Sequence, residues 1–439
     1  MDHKEVVVYW KEFKIPECKK RDIVIELNTD LVVTISGPRR AGKTYLCFQL
    51  IQELKRNGTN EKNIMYVNFE DERMLNASVD DLNQIFQTYV EIYEPDRSQP
   101  IFLFFDEIHN ISGWDNWVRR IADSKPNVKI VLTGSSSKLL SREISTKLRG
   151  RAVNFEIYPL SFKEYLEWKD IRYDIKTIDK SEKNKKIESF FSEYLKSGGY
   201  PKIVLGDPLK DKMLQSYYDV MLLRDIIERY NIRDSKQLKT VASLLFDSVS
   251  SEFSYNKIKN RLESLGFKAS KNTIIEYINY FEEAYLFFQN LKYEYSTHKQ
   301  LGSIKKIYCI DNGLINANSF KFSENNGKLL ENLVYLELRR RGREIFYFRE
   351  NNECDFIIKE KDKLITAIQV TDKLTVENTA REFDGLRECA RKYGITQGFI
   401  LTNNNYIQDL GSKTYNAPKE DIRIKVMPAW YFLLCNDLI

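Results

Sequence analysis

The sequence predicts a soluble α/β protein with several domains, and three observations support this. The chain has 439 residues, which is too long for one ordinary domain and enough for roughly three. It is 42% hydrophobic and 30% charged, a composition typical of globular proteins. Short apolar runs such as "LVVTISG", "IFLFFDE" and "VKIVLTG" alternate with longer stretches, as expected of buried parallel strands joined by crossover helices.

Changes in pattern along the chain predict four domains. Residues 1–160 alternate strand and helix, and residues 161–235 are helical with apolar positions three and four apart. Residues 236–316 contain three helices followed by the strands "FFQNLKYEY" and "KKIYCID", the order of a winged helix. Residues 317–439 return to an α/β pattern of helix, three strands, helix, two strands and helix. We therefore expect an α/β nucleotide-binding core, a helical lid, a winged helix and a second α/β domain.

The composition also indicates the cellular location of the protein and whether it has disulfides or a zinc site. No apolar run approaches the roughly 18 residues of a membrane-spanning helix, and "MDHKEVVVYWKEF" is a poor signal peptide, so we expect a cytoplasmic protein without a membrane partner. The six cysteines form no C-x-x-C pair and there are three histidines, which argues against disulfides or a zinc site. A net charge of +5 permits nucleic-acid binding without arguing for it.

The stretch "GPRRAGKT" fits the phosphate-loop pattern G-x-x-x-x-G-K-[ST] and stands between a strand and a helix. Such a loop wraps phosphates with backbone N–H groups, while Lys43 places a charge at the β and γ phosphates and the Thr44 hydroxyl binds Mg²⁺. The predicted nucleotide-binding residues are Gly37, Pro38, Arg39, Arg40, Ala41, Gly42, Lys43, Thr44 and Asp106.

An acidic pair follows about 60 residues later, where "IFLFFDEIH" ends an apolar strand with Asp106 and Glu107. The first acid is placed to hold Mg²⁺ with Thr44, and the second to orient or deprotonate the attacking water. ATP and Mg²⁺ are therefore the predicted cofactors. His109 is interpreted as structural, and the tryptophans at positions 114 and 117 as packing residues on a helix face.

Further polar residues lie after the next strand. In "VLTGSSS", Thr133 and Ser135 are candidates for a sensor of the γ-phosphate or of the attacking water, although they also fit as plain loop hydroxyls. Arg149 and Arg151 in "LRGRAV" are candidate arginine fingers, acting toward a neighbouring subunit or in the same chain. A surface ion pair is the alternative. The predicted catalytic residues are Lys43, Glu107, Ser135 and Arg151.

These motifs, with "LRGRAVNFEIYPLSFKEYL", "DVMLLRDIIERY" and "KKIYCIDNGL", resemble the AAA-type ATPases of the archaeal ATPase family over nearly the whole chain. In that family a P-loop ATPase core is followed by a winged helix and a restriction-endonuclease-like C-terminal domain. The resemblance implies ATP binding and hydrolysis with Mg²⁺ and a role on DNA. It carries the phosphate loop over to residues 37–44 and the acidic pair to Asp106 and Glu107.

Basic residues near the predicted winged helix are candidates for sequence-independent contacts with phosphates. They are Lys257, Lys259, Arg261, Lys268, Lys271, Lys292, Lys305 and Lys306. The run "ELRRRGR", residues 337–343, is the densest basic stretch, although arginines at a helix end also complement the helix dipole. Winged helices also dock proteins, so a protein partner is the alternative to DNA.

The last domain resembles nucleases of the PD-(D/E)XK type, in which acids hold Mg²⁺ and a lysine positions the water. Aligned by element, the positions are Glu331, Asp355, Gln369 and Thr371, so one acid and the lysine are replaced. Lys373 would share a face with Gln369 if the strand continued, and it could reach back. The alternative is that "TDKL" is a strand end, where Asp372 offers Lys373 a partner at the surface. We expect a vestigial site of Glu331, Asp355, Gln369 and Lys373 that binds DNA rather than cutting it.

The leading hypothesis is a DNA-associated ATPase in which the nucleotide state repositions the winged helix and a degenerate nuclease-like domain. Two alternatives are an ATP-regulated, metal-dependent DNA nuclease and a signalling-type ATPase switch that binds a protein partner. A homo-oligomer is compatible with an arginine finger that acts between subunits.

Overall fold

The computed structural model of the chain describes residues 2–135, 148–175, 183–319, 325–403, 408–410, 422–435 and 438. Their contacts define two compact units. The N-terminal unit comprises Met1–Tyr158 and Glu283–Tyr285, and the C-terminal unit comprises Pro159–Glu282 and Leu286–Ile439. No helix within the described ranges is both long and apolar enough to cross a membrane.

The N-terminal unit is built on a five-stranded parallel sheet with the strand order β2-β3-β4-β1-β5. Its strands are β1 (Val32–Ser36), β2 (Ile64–Asn68), β3 (Ile101–Asp106), β4 (Val128–Gly134) and β5 (Ala152–Glu156). Its helices are α1 (His3–Glu12), α2 (Lys43–Arg56), α3 (Val79–Tyr93) and α4 (Trp114–Ser124), with short 3₁₀ turns at Glu61–Asn63, Glu72–Met74 and Ile108–Asn110. This confirms the predicted α/β core with a parallel sheet.

Sequence features explain these elements. β1 and β3 are mostly apolar and are buried along their whole length, because helices cover both faces of a parallel sheet. α3 begins at a capping box in which the Ser78 side chain accepts from the Asp81 N–H and Asp81 bonds back to the Ser78 N–H. Trp114 and Trp117 of α4 are buried, and the Trp117 ring packs against Phe86 and Phe105, as the sequence predicted.

The carboxyl ends of the parallel strands meet at one edge of the sheet. In register, Asn68 of β2 lies beside Asp106 of β3, and Ser36 of β1 lies beside Gly134 of β4. The phosphate loop leaves β1 at this edge, and the acidic pair follows β3 there. The edge therefore collects the polar residues that the sequence places after separate strands.

The C-terminal unit has a nine-stranded mixed sheet in the order β13-β14-β12-β11-β10-β9-β7-β8-β6. The strands are β6 (Ser251–Phe253), β7 (Phe287–Lys292), β8 (Lys305–Cys309), β9 (Glu344–Arg349), β10 (Glu353–Glu360), β11 (Lys363–Thr371), β12 (Gln397–Thr402), β13 (Gln408–Leu410) and β14 (Arg423–Pro428). The helices are Phe162–Trp168, Lys183–Ser197, Pro201–Val204, Lys210–Val220, Ser235–Phe246, Tyr255–Ser264, Lys271–Glu283, Thr297–Gly302, Asn312–Asn318, Asn326–Arg340, Val376–Tyr393 and Ala429–Leu434, and Met221–Glu228 is a π-helical segment.

The two strands predicted as a wing belong to this large sheet. β7 pairs antiparallel with β8, which also pairs with β6, and β7 pairs in parallel with β9 through Leu291–Phe346 and Lys292–Tyr347. The predicted boundary at residue 316 therefore divides strands that share one sheet. The three helices and two strands of the prediction occur in the predicted order, but β6 and the helix Thr297–Gly302 were not predicted, and the strands do not form a separate two-stranded wing.

Asp311 is a buried carboxylate that joins two segments of the C-terminal unit. Its Oδ2 accepts the Gly199 N–H at 2.7 Å, and its Oδ1 accepts the Gly313 and Leu314 N–H groups at the start of the helix Asn312–Asn318. A Cβ on Gly198 would lie 2.0 Å from Asp311 Oδ1, and Gly198 has φ +73°. The "SGG" stretch therefore has no side chain where the carboxylate approaches the backbone.

Asp311 predicts a pH dependence of stability. Burial raises the pKa of Asp311 to about 7 from an ordinary value of 3.8, although three backbone N–H groups favour the ionised form. The folded protein then binds more protons than the unfolded chain between about pH 4 and 7. Protonated Asp311 therefore contributes to the free energy of unfolding. The contribution has its full size below about pH 4 and is lost as the pH rises through about 7.

We expect Asp311→Asn to remove that pH dependence and to lower the free energy of unfolding by about 1–3 kcal/mol, because the amide nitrogen cannot accept the Gly199 N–H. Urea unfolding at pH 5 to 8 measures both effects. Asp362→Asn, at an exposed position between β10 and β11, is the control. An unchanged pH slope in Asp311→Asn would contradict the assignment.

Candidate functional site

The phosphate loop has the backbone that its glycines permit. Gly42 is left-handed at φ +99° and precedes the first residue of α2. Gly37 has φ +153°, and a Cβ there would lie 2.3 Å from the carbonyl oxygen of Ile157. Both positions therefore require glycine, one for its dihedral angle and one for the close approach of another backbone.

The Lys43 side chain contacts the backbone of this loop. Its Nζ donates to the carbonyl oxygens of Gly37 at 3.2 Å and Pro38 at 3.3 Å, and lies 3.4 Å from Glu107 Oε1. The side chain is buried at 5% exposure. The ammonium group is thus held beside the helix N-terminus, where a phosphate would meet both the charge and the backbone N–H groups.

The rest of the loop is fixed by residues outside the motif. Arg21 is buried and donates to the carbonyl oxygens of Ala41 at 2.7 Å and Tyr158 at 2.9 Å, so its guanidinium braces the loop. Arg39 pairs with Glu70 at 2.7 Å, and Arg40 has φ +66°. Arg21 was missed in the sequence, because it precedes the motif and carries no pattern of its own.

Asp106 is the most densely bonded acid of the site. Its Oδ2 accepts the Thr44 hydroxyl at 2.6 Å and the Tyr66 hydroxyl at 2.8 Å, and its Oδ1 accepts the Thr133 hydroxyl. Burial and the neighbouring Glu107 raise the pKa of Asp106. A carboxylate and a threonine hydroxyl in contact at the end of a phosphate loop are suitable oxygen ligands for Mg²⁺. The residues present therefore fit this metal.

Glu107 adopts an uncommon backbone conformation, φ +53°, directly after β3. Its backbone N–H donates to Thr133 Oγ1 at 3.0 Å, and its Oε2 lies 3.3 Å from His109 Nδ1. A left-handed non-glycine residue at a strand end is a form of strain that recurs at functional sites. His109, interpreted above as structural, therefore lies next to the predicted catalytic acid.

The candidate sensor and finger residues have different placements. Thr133 makes hydrogen bonds to both members of the acidic pair, and Ser135 is buried one residue beyond β4. Arg151 pairs with Asp123 at 2.6 Å, and its carbonyl accepts the Val32 N–H at the start of β1. That is the opposite end of the strand from the phosphate loop, about 13 Å away.

Arg151 therefore does not reach a nucleotide bound in its own chain, and the same-chain alternative is wrong in this structure. Arg149, two residues earlier, is exposed with φ +51°. Action on a neighbouring subunit stays a prediction for both arginines.

Tyr66 was not predicted, although a tyrosine in a buried strand needs a partner for its hydroxyl. We expect Tyr66→Phe to raise the Mg²⁺ concentration that gives half-maximal ATP hydrolysis by roughly 10-fold, because the hydroxyl orients the Asp106 carboxylate. Phosphate release at increasing Mg²⁺ measures this. Tyr89→Phe is matched, since it removes a buried hydroxyl bonded to the Lys62 carbonyl and leaves Asp106 intact. Equal Mg²⁺ requirements in both variants would contradict the role of Tyr66.

The C-terminal unit contains a second group of charged side chains, which we call the Lys306 cluster: Lys306, Glu331, Glu353 and Asp355. The Lys306 Nζ lies 2.9 Å from Glu331 Oε1, 2.6 Å from Glu353 Oε1 and 2.8 Å from Asp355 Oδ1. Burial opposes the charge on Lys306, but Asp355 and Glu331 outweigh it and raise its pKa. Burial, together with Asp355, raises the pKa of Glu331, and Lys306 opposes that rise.

The predicted vestigial site is therefore only partly assembled. Glu331 and Asp355 meet, but the Gln369 Oε1 accepts the Asp355 N–H at 3.2 Å and its Nε2 donates to Glu382 at 2.7 Å. β11 ends at Thr371, so Lys373 lies beyond the strand with an exposed side chain. The prediction that Lys373 reaches back is wrong, because the strand on which it depended does not continue. The lysine at the acids comes from β8.

The basic residues predicted to contact DNA are of two kinds, exposed and buried. Lys257, Arg261, Lys268 and Lys271 are exposed, whereas Lys305 and Lys306 are buried and do not face a DNA surface. In the arginine run, Arg340 and Arg341 both bind Glu337, and Arg341 also donates to the Phe432 carbonyl. These two arginines are used within the C-terminal unit.

The chain is similar to known proteins over most of its length. The protein MJ1544 of Methanocaldococcus jannaschii is 38% identical over 425 residues, covering 94% of this chain and 90% of its own length. A Haemophilus influenzae protein is 34% identical over 384 residues, covering 87% and 91%. The Walker-type ATPase Paby2304 of Pyrococcus abyssi is similar at 14% identity and a TM-score of 0.44, covering 72% of this chain and 94% of its own.

Three domain families match successive parts of the chain. Residues 29–166 match the AAA domain, and residues 188–325 and 326–422 match two domains of unknown function, DUF8612 and DUF4143. The AAA match contains the phosphate loop and the acidic pair. The chain therefore belongs to the same family as its M. jannaschii and H. influenzae relatives, and its residues 29–166 are an AAA domain that contains the phosphate loop.

Proposed function

We propose that the protein is a Mg²⁺-dependent ATPase that acts on DNA. The observation that carries the ATPase proposal is the convergence of Lys43, Thr44, Asp106 and Glu107 at one edge of the parallel sheet. In this arrangement a positive charge and a helix N-terminus lie beside the acids that hydrolysis requires.

Each residue has a distinct role in the proposed reaction. Thr44 and Asp106 would hold Mg²⁺, which when bound supplies positive charge to the β and γ phosphates. Lys43 leaves the loop carbonyls and the Glu107 carboxylate and neutralises phosphate oxygens. Glu107 accepts a proton from the water that attacks the γ-phosphorus, as the bond to the ADP oxygen breaks. Thr133 fixes the acidic pair from the neighbouring strand.

DNA contact is proposed through the helices Tyr255–Ser264 and Lys271–Glu283, whose order with β6, β7 and β8 is that of a winged helix. Lys257, Lys268 and Lys271 are exposed there and carry charges suited to phosphates. We further propose that ATP and ADP states place these helices differently on DNA. Arg151 would act across a subunit boundary in a homo-oligomer.

The test is ATP turnover with and without duplex, single-stranded and branched DNA, together with DNA affinity in the presence of ATP or ADP. We expect stimulation by one DNA form and a difference in affinity between the two nucleotides. Replacing Lys257, Lys268 and Lys271 with alanine should reduce the slope of log affinity against log salt by up to about three. Lys361→Ala/Lys363→Ala, at exposed positions in the turn after β10 and at the start of β11, is the control.

The outcomes separate the two parts of the proposal. Identical DNA affinity with ATP and ADP would reject the nucleotide-controlled role on DNA while leaving the ATPase intact. Capture of a protein partner that persists after nuclease treatment, without DNA stimulation, would instead favour a signalling switch.

A further inference from the structure

In the Lys306 cluster, one ammonium group is surrounded by three carboxylates, as a bound metal ion would be. An ammonium group has three donor hydrogens and no acceptor. The Lys306 Nζ has three carboxylate oxygens within 2.9 Å, from Glu331, Glu353 and Asp355. Glu331 and Asp355 accept hydrogen bonds from the ammonium, and Glu353 forms an ion pair with it.

Further hydrogen bonds hold the carboxylates of the cluster in place. Asp355 Oδ2 accepts the Val370 N–H at 2.9 Å, and Glu353 Oε2 accepts from Arg349 at 3.0 Å. The Tyr308 hydroxyl donates to Glu331 Oε1 at 2.7 Å. These contacts hold each carboxylate with one oxygen toward the ammonium, which is how ligands around a metal ion are oriented.

Burial makes the ammonium necessary to this arrangement. The Lys306 side chain is 2% exposed and those of Glu331 and Asp355 are 10% and 7% exposed, so the acids would repel one another without a cation between them. Three carboxylates are also a donor set that suits Mg²⁺ or Mn²⁺. No group of three His, Cys, Asp or Glu side chains within the described ranges is arranged to hold a metal ion.

We infer that the Lys306 ammonium is a built-in cation that takes the place of a divalent metal among Glu331, Glu353 and Asp355. The C-terminal unit then binds no divalent metal at these acids and does not carry out metal-dependent cleavage of DNA. This inference goes beyond the ATPase proposal and would stand if ATP hydrolysis or DNA binding failed, since it concerns residues of another unit.

The experiment measures Mn²⁺ binding to the full chain without nucleotide, by the loss of the free-ion signal in electron paramagnetic resonance. Asp355→Asn is made both in wild type and in Lys306→Met, so that Mn²⁺ bound at the cluster can be told apart from Mn²⁺ bound at the phosphate loop. We expect wild type and Asp355→Asn to bind equal amounts of Mn²⁺. Lys306→Met should gain one Mn²⁺ per chain relative to wild type, and the double variant Lys306→Met/Asp355→Asn should lose it.

Thermal unfolding gives a second readout that does not depend on activity. Mn²⁺ at about 100 times its Kd should raise the unfolding midpoint of Lys306→Met by roughly 5 °C and leave that of wild type unchanged. Lys306→Gln, which keeps a polar donor without the charge, serves as the second variant if the methionine variant folds poorly. A variant that folds only when Mn²⁺ is present would support the inference.

Two results would overturn it. Mn²⁺ bound by wild type and released by Asp355→Asn would mean that a metal enters beside the lysine. Folded Lys306→Met or Lys306→Gln that gains no Mn²⁺ site would mean that the ammonium does not occupy a metal position. ATP turnover, measured on the same preparations, should be equal in wild type and Lys306→Met, so a failed ATPase proposal is distinguished from a failed inference here.

Discussion

Glu107→Gln is expected to lower kcat for ATP hydrolysis by roughly 10²–10⁴-fold while ATP binding persists, because glutamine keeps the shape of the side chain but cannot accept a proton. The carboxylate is placed for this role by the left-handed backbone after β3 and by the Thr133 hydroxyl on its N–H. Steady-state phosphate release gives kcat, and a fluorescent ATP analogue gives the affinity.

The control for this variant is Glu91→Gln, an exposed glutamate on α3. It removes the same charge from the N-terminal unit without touching the sheet edge, and its kcat should equal that of wild type. If Glu107→Gln hydrolysed ATP at the rate of Glu91→Gln, another group would have to accept the proton from the attacking water.

Lys43→Ala is expected to lower turnover by roughly 10²–10³-fold and to weaken ATP binding by about 10- to 100-fold. The lysine supplies the only side-chain ammonium observed beside Glu107 in the described part of the N-terminal unit, so its loss removes charge from both the bound and the reacting phosphates. Phosphate release and equilibrium nucleotide binding measure the two effects separately.

Lys55→Ala is the matched variant, since Lys55 is near the other end of α2 and pairs with the exposed Glu61. Its turnover should be unchanged. Preserved turnover in Lys43→Ala, with the same affinity as Lys55→Ala, would refute the assignment of the phosphate loop as the site of hydrolysis.

Much of the N-terminal unit could be predicted because its signals are local. A phosphate loop is one contiguous motif between a strand and a helix, and Asp106 is the last residue of an apolar strand. Once the strands are parallel, their carboxyl ends share an edge, so residues far apart in sequence must converge there. Arg21 and Tyr66 lacked such a signal, since their contacts are with residues whose positions only the packed sheet defines.

In the C-terminal unit, local sequence patterns predicted most of the elements but not the position of Lys306. The order of elements after residue 326 was predicted except for β13, and Glu331 and Asp355, predicted for one site, both contact Lys306. Lys306 was placed on a basic surface, because a lysine in a strand is ordinarily exposed. The available signal was its position directly before the apolar run "IYCI" of a buried strand, where a charged side chain requires a partner.

The sequence by itself determined the α/β core, the phosphate loop and the acidic pair, since each depends on spacing within one or two adjacent elements. Only the tertiary structure decided that the lysine at the C-terminal acids is Lys306 and not Lys373. β9 and β7 lie between β8 and β10, a separation of about 14 Å in a flat sheet, so the contact depends on three-dimensional packing that spacing along the sequence does not specify.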